Sequence, residues 1–215
     1  MPLLLADLDD TLIDRRGSFR AWAESFCARE GIDAGAVGWL VELDAYGYTP
    51  REEVFTRIRE RFLLAEPVDE LVAAYRDEYP SFALRPSDET FAQLEALRAR
   101  GWRIGVVTNG HPIQLRKLET VGLDVFVDAC CVSEIEGVRK PDPAIFERAA
   151  ALCDEPLAGG WMIGDNPEAD IGGAHALGLS TIWLRHQRTW AERAFSPTLA
   201  ADTLEEALAH LAGLP

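Results

Sequence analysis

The sequence predicts an α/β protein: a doubly wound parallel sheet with a block of helices inserted near its start. Short apolar runs of strand length alternate with amphipathic helical stretches along most of the chain. That alternation belongs to a parallel sheet covered by helices on both faces. Between residues 17 and 86 it stops, and only helical patterns occur. An interruption of about 70 residues is far longer than an ordinary crossover. The expected division is therefore residues 1–16 with 87–215 as the α/β core and residues 17–86 as a helical cap. Extra packing helices are the plainer alternative for the insertion.

The elements follow in order. Leu3–Leu8 reads as a first strand, apolar on both faces as a buried parallel strand should be. Helical patterns near Phe19–Glu30, Ala36–Tyr46, Arg51–Leu64 and Val68–Tyr79 fill the insertion. The next helix sets Phe91, Leu94 and Leu97 on one face and leads into a second strand, Trp102–Thr108. Val125–Ser133, Trp161–Gly164 and Thr181–Leu184 supply three more strands. Asp142-Pro143 and Asn166-Pro167 each read as an N-cap followed by Pro at the first helical position. Arg185–Pro197 is expected as a surface excursion before a last helix, Thr203–Leu211.

Composition narrows the function. The chain has 215 residues, 48% hydrophobic and 27% charged, with 21 basic and 36 acidic side chains and a net charge of -15. That balance argues against non-specific nucleic-acid binding and against docking on anionic membranes, both of which need Lys and Arg in excess. The start lacks a basic leader region, and no run approaches the ~20 apolar residues of a membrane helix. The four cysteines show no metal-ligand or redox spacing and are expected as reduced, mostly buried thiols of a cytoplasmic protein.

What ends each strand carries the chemistry. The first runs into Asp7-Leu8-Asp9-Asp10-Thr11 and the second ends in Thr108-Asn109-Gly110. The third is followed by Arg139-Lys140-Pro141-Asp142-Pro143, and the fourth ends in Gly164-Asp165-Asn166, with Asp170 beyond it. In a parallel sheet these ends share one edge. Acids, a hydroxyl and a lysine gathered there suit a divalent cation beside a phosphoryl group, because Mg²⁺ prefers oxygen ligands and offsets carboxylate repulsion. One carboxylate can attack phosphorus while a second moves a proton.

The order DLDDT, TNG, RKPDP and GDNPEAD, spread over essentially the whole chain, resembles the haloacid dehalogenase (HAD) superfamily, with a helical C1 cap between the first two motifs. The resemblance implies a Rossmann-like core and Mg²⁺ held by Asp7, the Asp9 backbone carbonyl and Asp165. It implies Asp7 as the phosphorylated nucleophile, Asp9 as general acid/base, Thr108 as the hydroxyl on the phosphoryl oxygens and Lys140 as the lysine steadying Asp7. Asp170 matches a supporting acid, more often a partner of the lysine or of metal-bound water than a ligand. The superfamily's dehalogenases lack an acid where Asp9 stands, because a halide leaves without a proton; an alkoxide does not. The implied activity is therefore hydrolysis of a small soluble phosphate monoester such as a sugar phosphate, a phosphoglycolate-like acid or a nucleoside monophosphate. A phosphomutase shares the same acids and remains open. A phosphate-accepting signalling receiver is a different class, disfavoured by the insertion and the separate GDNPEAD motif; a non-catalytic binder would have lost a motif acid.

The remaining residues have plainer readings. Asp10 suits loop hydrogen bonds and Asp142 a helix cap. Asn109 and Gly110 would set backbone amides near a helix N-terminus, a natural phosphate cradle. His111 either touches substrate or caps the following helix. His175, His186 and His210 show no ligand spacing. In the insertion, Trp22, Tyr46, Tyr48 and Arg51 flank or approach the Gly47 turn. Arg51 is a candidate for a second anionic group of a substrate, with aromatic packing and a solvated Arg as the alternative.

Overall fold

The computed structural model describes residues 1–214. Among them a six-stranded, all-parallel sheet runs in the order β3-β2-β1-β4-β5-β6. The strands are β1 (Leu3–Ala6), β2 (Arg103–Thr108), β3 (Ala129–Val132), β4 (Trp161–Gly164), β5 (Ser180–Leu184) and β6 (Leu199–Ala201). The chain divides into two compact units, Met1–Ile13 with Arg85–Pro215 and, separately, Asp14–Leu84.

In the α/β unit the helices are α5 (Asp88–Ala99), α6 (Ile113–Val121), α7 (Ser133–Glu136), α8 (Pro143–Leu152), α9 (Gly173–Ala176) and α10 (Leu204–Ala212). All four residues of β1 are buried, as the central strand of a doubly wound sheet requires. Leu3, Leu5, Val107, Cys131 and Met162 pack with Ile145, Phe146 and Ala149 of α8 into one core. β1 ends at Ala6 and not at Leu8, because the Leu8 carbonyl accepts from the amides of Leu12 and Ile13, both at 3.0 Å, and folds the acids into a tight loop. β3 starts only at Ala129, since Asp128 takes ion pairs from Arg98 and Arg103, both at 2.9 Å. The strand order reverses between β1 and β4, whose carboxyl ends form the crevice where doubly wound sheets bind ligands.

The other unit is helical: α1 (Arg15–Glu30), α2 (Ala36–Asp44), α3 (Arg51–Phe62) and α4 (Val68–Glu78). α1 starts four residues before the sequence suggests, because the Asp14 side chain accepts from the Gly17 amide at 2.7 Å and caps it. A Cβ at Gly17 would meet that carboxylate at 2.4 Å. Phe19, Trp22 and Phe26 recur at helical spacing and pack with Phe55, Tyr75 and Tyr79. Trp22 and Tyr75 meet edge-on with centroids 4.9 Å apart; such pairs contribute about 0.5–1.5 kcal/mol each beyond their burial.

Asp142 caps α8 by accepting from the Ala144 amide at 2.9 Å. Asn166 caps the Pro167–Gly172 turn, accepting from Glu168 and Ala169; that turn is a π-helical one and not the ordinary helix the sequence suggests. Arg185–Pro197 lies between β5 and β6, held by Trp183, Trp190, Phe195 and His175. No helix is long and apolar enough to cross a membrane among the described residues.

Candidate active site

Asp7 follows the last residue of β1 and is held by its own amide, which donates to the Ile163 carbonyl of β4 at 2.9 Å. Its side chain accepts from Lys140 Nζ at 2.6 Å, and the same ammonium lies 2.7 Å from Asp170. All three residues are buried. Asp170 accepts in turn from the Asn166 amide at 2.9 Å. Gly164 makes room for this arrangement, since a Cβ there would sit 2.4 Å from the Asp170 side chain. Asp7, Asp165 and Asp170 each offer a carboxylate oxygen, all within 4.8 Å of one another.

Asp7 and Asp170 thus share one lysine with Asp165 close beside them, and the electrostatics show the imbalance. Burial, reinforced by Asp170 and Asp165, holds the Asp7 carboxyl well above its ordinary range against the opposing pull of Lys140. Burial and the charge of Asp170 raise Asp165 to about 7, although Arg188 opposes the shift. For Lys140 burial works downward, but Asp170 and Asp7 outweigh it and hold the ammonium above its usual value. The donor set is all oxygen, acid-rich and short of positive charge. It fits a hard divalent cation such as Mg²⁺.

Around this centre the other residues take distinct places. Asn109 grips the lysine loop from both sides: its Nδ2 donates to the Lys140 carbonyl at 3.0 Å and its Oδ1 accepts from the Lys140 amide at 2.8 Å. Its side chain therefore positions Lys140. The Gly110 amide donates to Ser133 Oγ at 3.0 Å, which engages it within the protein. Thr108 is buried at the end of β2. The His111 ring accepts from the Ile113 amide at 3.3 Å at the start of α6. Asp10 adopts φ 56° and its amide donates to Ile13, a turn geometry that Asp tolerates well.

Four partners carried little sequence signal. Gln114 and Lys117 of α6 both reach Asp9. Arg188 donates to the Asp165 carboxylate at 3.1 Å and to its carbonyl at 2.7 Å, and His186 lies 2.6 Å from the Asp10 carbonyl. The one available signal was on α6, where polar residues occupy the buried face of an amphipathic helix. His175 and His210 pack against Phe195 and Trp161.

In the helical unit Arg51 is paired with Asp44, which also takes a two-pronged ion pair from Arg15 at 2.7 and 2.8 Å. Arg51 is thus not a solvated surface residue, and its guanidinium lies over the Phe19 and Tyr75 rings. Trp22 is buried and donates to Glu78 at 2.7 Å, whereas Tyr46 and Tyr48 are exposed. The four cysteines are free. Burial raises Cys130 to about 12 and Cys131 and Cys153 to about 11, so these three are not thiolate nucleophiles at neutral pH.

Residues 1–178 match the family profile of the haloacid dehalogenase-like hydrolases, and the chain belongs to that family. It is 29% identical to the phosphoserine phosphatase of Thermus thermophilus over 96% of this chain and 97% of that one. It is 35% identical to the glyceraldehyde 3-phosphate phosphatase of Pyrococcus abyssi over 86% of this chain and 81% of that one. The crystal structure of the HAD-hydrolase YfnB from Bacillus subtilis, bound to magnesium, superposes with a TM-score of 0.75 at 25% identity, covering 99% of both chains.

Proposed function

We propose that this hydrolase is a Mg²⁺-dependent phosphatase that cleaves a small phosphate monoester through an aspartyl-phosphate on Asp7. The observation that carries the reading is the division of labour at the end of β1. Asp7 is buried against Lys140, while Asp9, two residues on, turns to a separate set of partners on α6. A nucleophile and a proton carrier need this separation, because a carboxylate poised to attack phosphorus cannot also protonate the leaving oxygen. The phosphatase relatives support the reading, and the presence of Asp9 disfavours halide displacement.

In the first half-reaction an Asp7 oxygen bonds to phosphorus as the ester P–O bond breaks, and the proton of Asp9 passes to the leaving oxygen. In the second, the Asp9 carboxylate takes a proton from water as that water bonds to phosphorus. The bond to Asp7 breaks and inorganic phosphate departs. Lys140 and the Thr108 hydroxyl hold the transferring oxygens, since phosphoryl transfer depends mainly on position and charge. Asp7 and Asp165, with the Asp9 carbonyl, would hold Mg²⁺, and Asp170 would support the site through Lys140. When bound, the cation supplies the positive charge that keeps the raised carboxyls ionised. The helical unit, residues 17–86 by sequence pattern and Asp14–Leu84 by compactness, takes the role of the cap that selects the substrate. The expected partner is a small phosphorylated metabolite of the kind its relatives are named for, and not nucleic acid or a membrane.

A phosphate-release screen over phosphorylated metabolites with Mg²⁺ tests the reading. Release from at least one small monoester, lost in Asp7→Asn, is expected. Undiminished release by Asp7→Asn would overturn the mechanism, and no release from any ester would overturn the activity.

A further inference from the structure

The buried face of α6 carries Gln114 and Lys117, 2% and 3% exposed, beside Leu118 and Val121. An ammonium in such a position is costly unless a partner compensates it, and an apolar side chain of similar volume would fill the space at no such cost. The compensation is Asp9. Lys117 Nζ donates to Oδ1 at 2.8 Å and to Oδ2 at 2.9 Å. Gln114 Nε2 donates to Asp9 Oδ2 at 3.0 Å and to Thr108 Oγ1 at 2.8 Å. The amide orientation suits the ionised Asp9, the form that takes a proton from water in the second half-reaction, because a carboxylate has no proton to donate and the nitrogen faces it.

We infer that Lys117, with Gln114, positions Asp9 for proton transfer and ties that position to Thr108. The inference rests on Asp9 being the proton carrier of the proposed reaction. Asp9 lies in the loop after β1, its side chain 22% exposed, where an unsupported side chain would sample several rotamers. Its partners stand on the buried face of a nine-residue helix, so three hydrogen bonds fix both carboxylate oxygens relative to the sheet edge. Proton transfer needs donor and acceptor within about 2.6–3.2 Å, a tolerance a freely rotating carboxyl does not keep. Gln114 adds a second constraint: by donating to Thr108 Oγ1 it leaves the threonine's own proton to be offered to a phosphoryl oxygen. One helix face thereby sets both the group that moves the proton and the hydroxyl that holds the phosphoryl group.

Leaving-group chemistry separates this role from mere support of the fold. For this two-step reaction kcat/KM reports events up to formation of the aspartyl-phosphate. A proton is needed there for an alkoxide and hardly at all for a nitrophenolate. In the Mg²⁺-loaded enzyme, Lys117→Met is expected to lower kcat/KM for the best alkyl phosphate of the screen about 100-fold, the lower end of general-acid contributions. For p-nitrophenyl phosphate the loss should stay within about 5-fold, with a burst of nitrophenolate because Asp9 still limits the second half-reaction. Asp9→Asn sets the full size of the split, and Lys117→Arg, which keeps the charge, is expected to restore much of the alkyl activity. Equal losses on the two esters, or an alkyl rate left unchanged, would overturn the inference. If circular dichroism shows Lys117→Met unfolded, Lys117→Gln replaces it: an alkyl-selective loss again supports the inference, and equal or absent losses again overturn it. A wild-type enzyme that releases phosphate from neither ester would instead overturn the phosphatase reading.

Discussion

Each unit of the chain buries a cluster of charges, and the two are unbalanced in opposite senses. In the α/β unit Asp7, Asp165 and Asp170 gather near one lysine, and burial lifts Asp7 and Asp165, the latter to about 7. In the helical unit Arg15 and Arg51 close on one Asp44. Burial pushes that carboxyl up, but Arg15 first and Arg51 second outweigh it and hold it below its ordinary range. The difference lies in what completes each cluster. The excess positive charge around Asp44 lies over the Phe19 and Tyr75 rings, which compensate part of it, and Arg51 Nη1 is buried with no hydrogen-bond partner among the described residues. Among the described residues the excess negative charge around Lys140 meets no second buried cation. Arg188 approaches from a largely exposed segment, and its ion pair is with Asp165. The first cluster is short of negative charge and is compensated largely by aromatic faces, and the second is short of positive charge.

The largest effect expected is on the acid-rich side. Asp7→Asn removes the proposed nucleophile and should reduce phosphate release to the detection limit while circular dichroism stays unchanged. A retained rate would show that the cluster does not do covalent chemistry. On the base-rich side, Asp44→Asn leaves the buried Arg15 and the part-buried Arg51 without their carboxylate. It should cost about 3–5 kcal/mol in denaturant unfolding, as broken buried ion pairs do. A cost below about 1 kcal/mol, the range of exposed pairs, would mean that Asp44 does not hold the two arginines in the way described.

Cation binding sharpens the contrast. Mg²⁺ at about 100 times its dissociation constant should stabilise the fold by about 2.7 kcal/mol. Chelation should reverse this, and Asp165→Asn should abolish the effect; a Mg²⁺ shift that survives in that variant would move the site elsewhere. The smallest effect is the response to acid. The Asp44 pKa is lowered on folding, so its stabilisation is complete above the unfolded value of about 3.9 and is lost as pH falls through the folded value. Thermal melts from about pH 5 down to about pH 2 should show this loss in the wild type. It should be smaller in Asp44→Asn, and equal slopes would remove Asp44 from the account.

Much of the scaffold could be read without coordinates. The apolar runs placed five strands to within a few residues, and Asp142 and Asn166 marked their turns, because strand burial and capping depend on near neighbours. The acids, the hydroxyl and the lysine could be sent to one edge because parallel strands leave no other arrangement of their ends. β6 was not visible: Leu-Ala-Ala offers three residues and no alternation, and it is a strand only because it pairs with Ile182–Leu184 of β5.

What only the tertiary structure decided is how the acids are shared out. Asp7 and Asp9 are two residues apart, yet Asp7 is bound by a lysine 133 positions away and Asp9 by another 108 positions away. By its place in the chain the Asn109 backbone suits a phosphate contact, and its side chain grips the backbone of Lys140, a pairing that no spacing announces. By sequence Arg51 suits solvent or a ligand's anionic group, and its pairing with Asp44 removes the solvated reading. Composition and spacing determine which charges the chain owns and which edge of the sheet they reach. Packing decides which opposite charge each meets, because a side-chain contact of about 3 Å depends on the register of elements far apart in sequence.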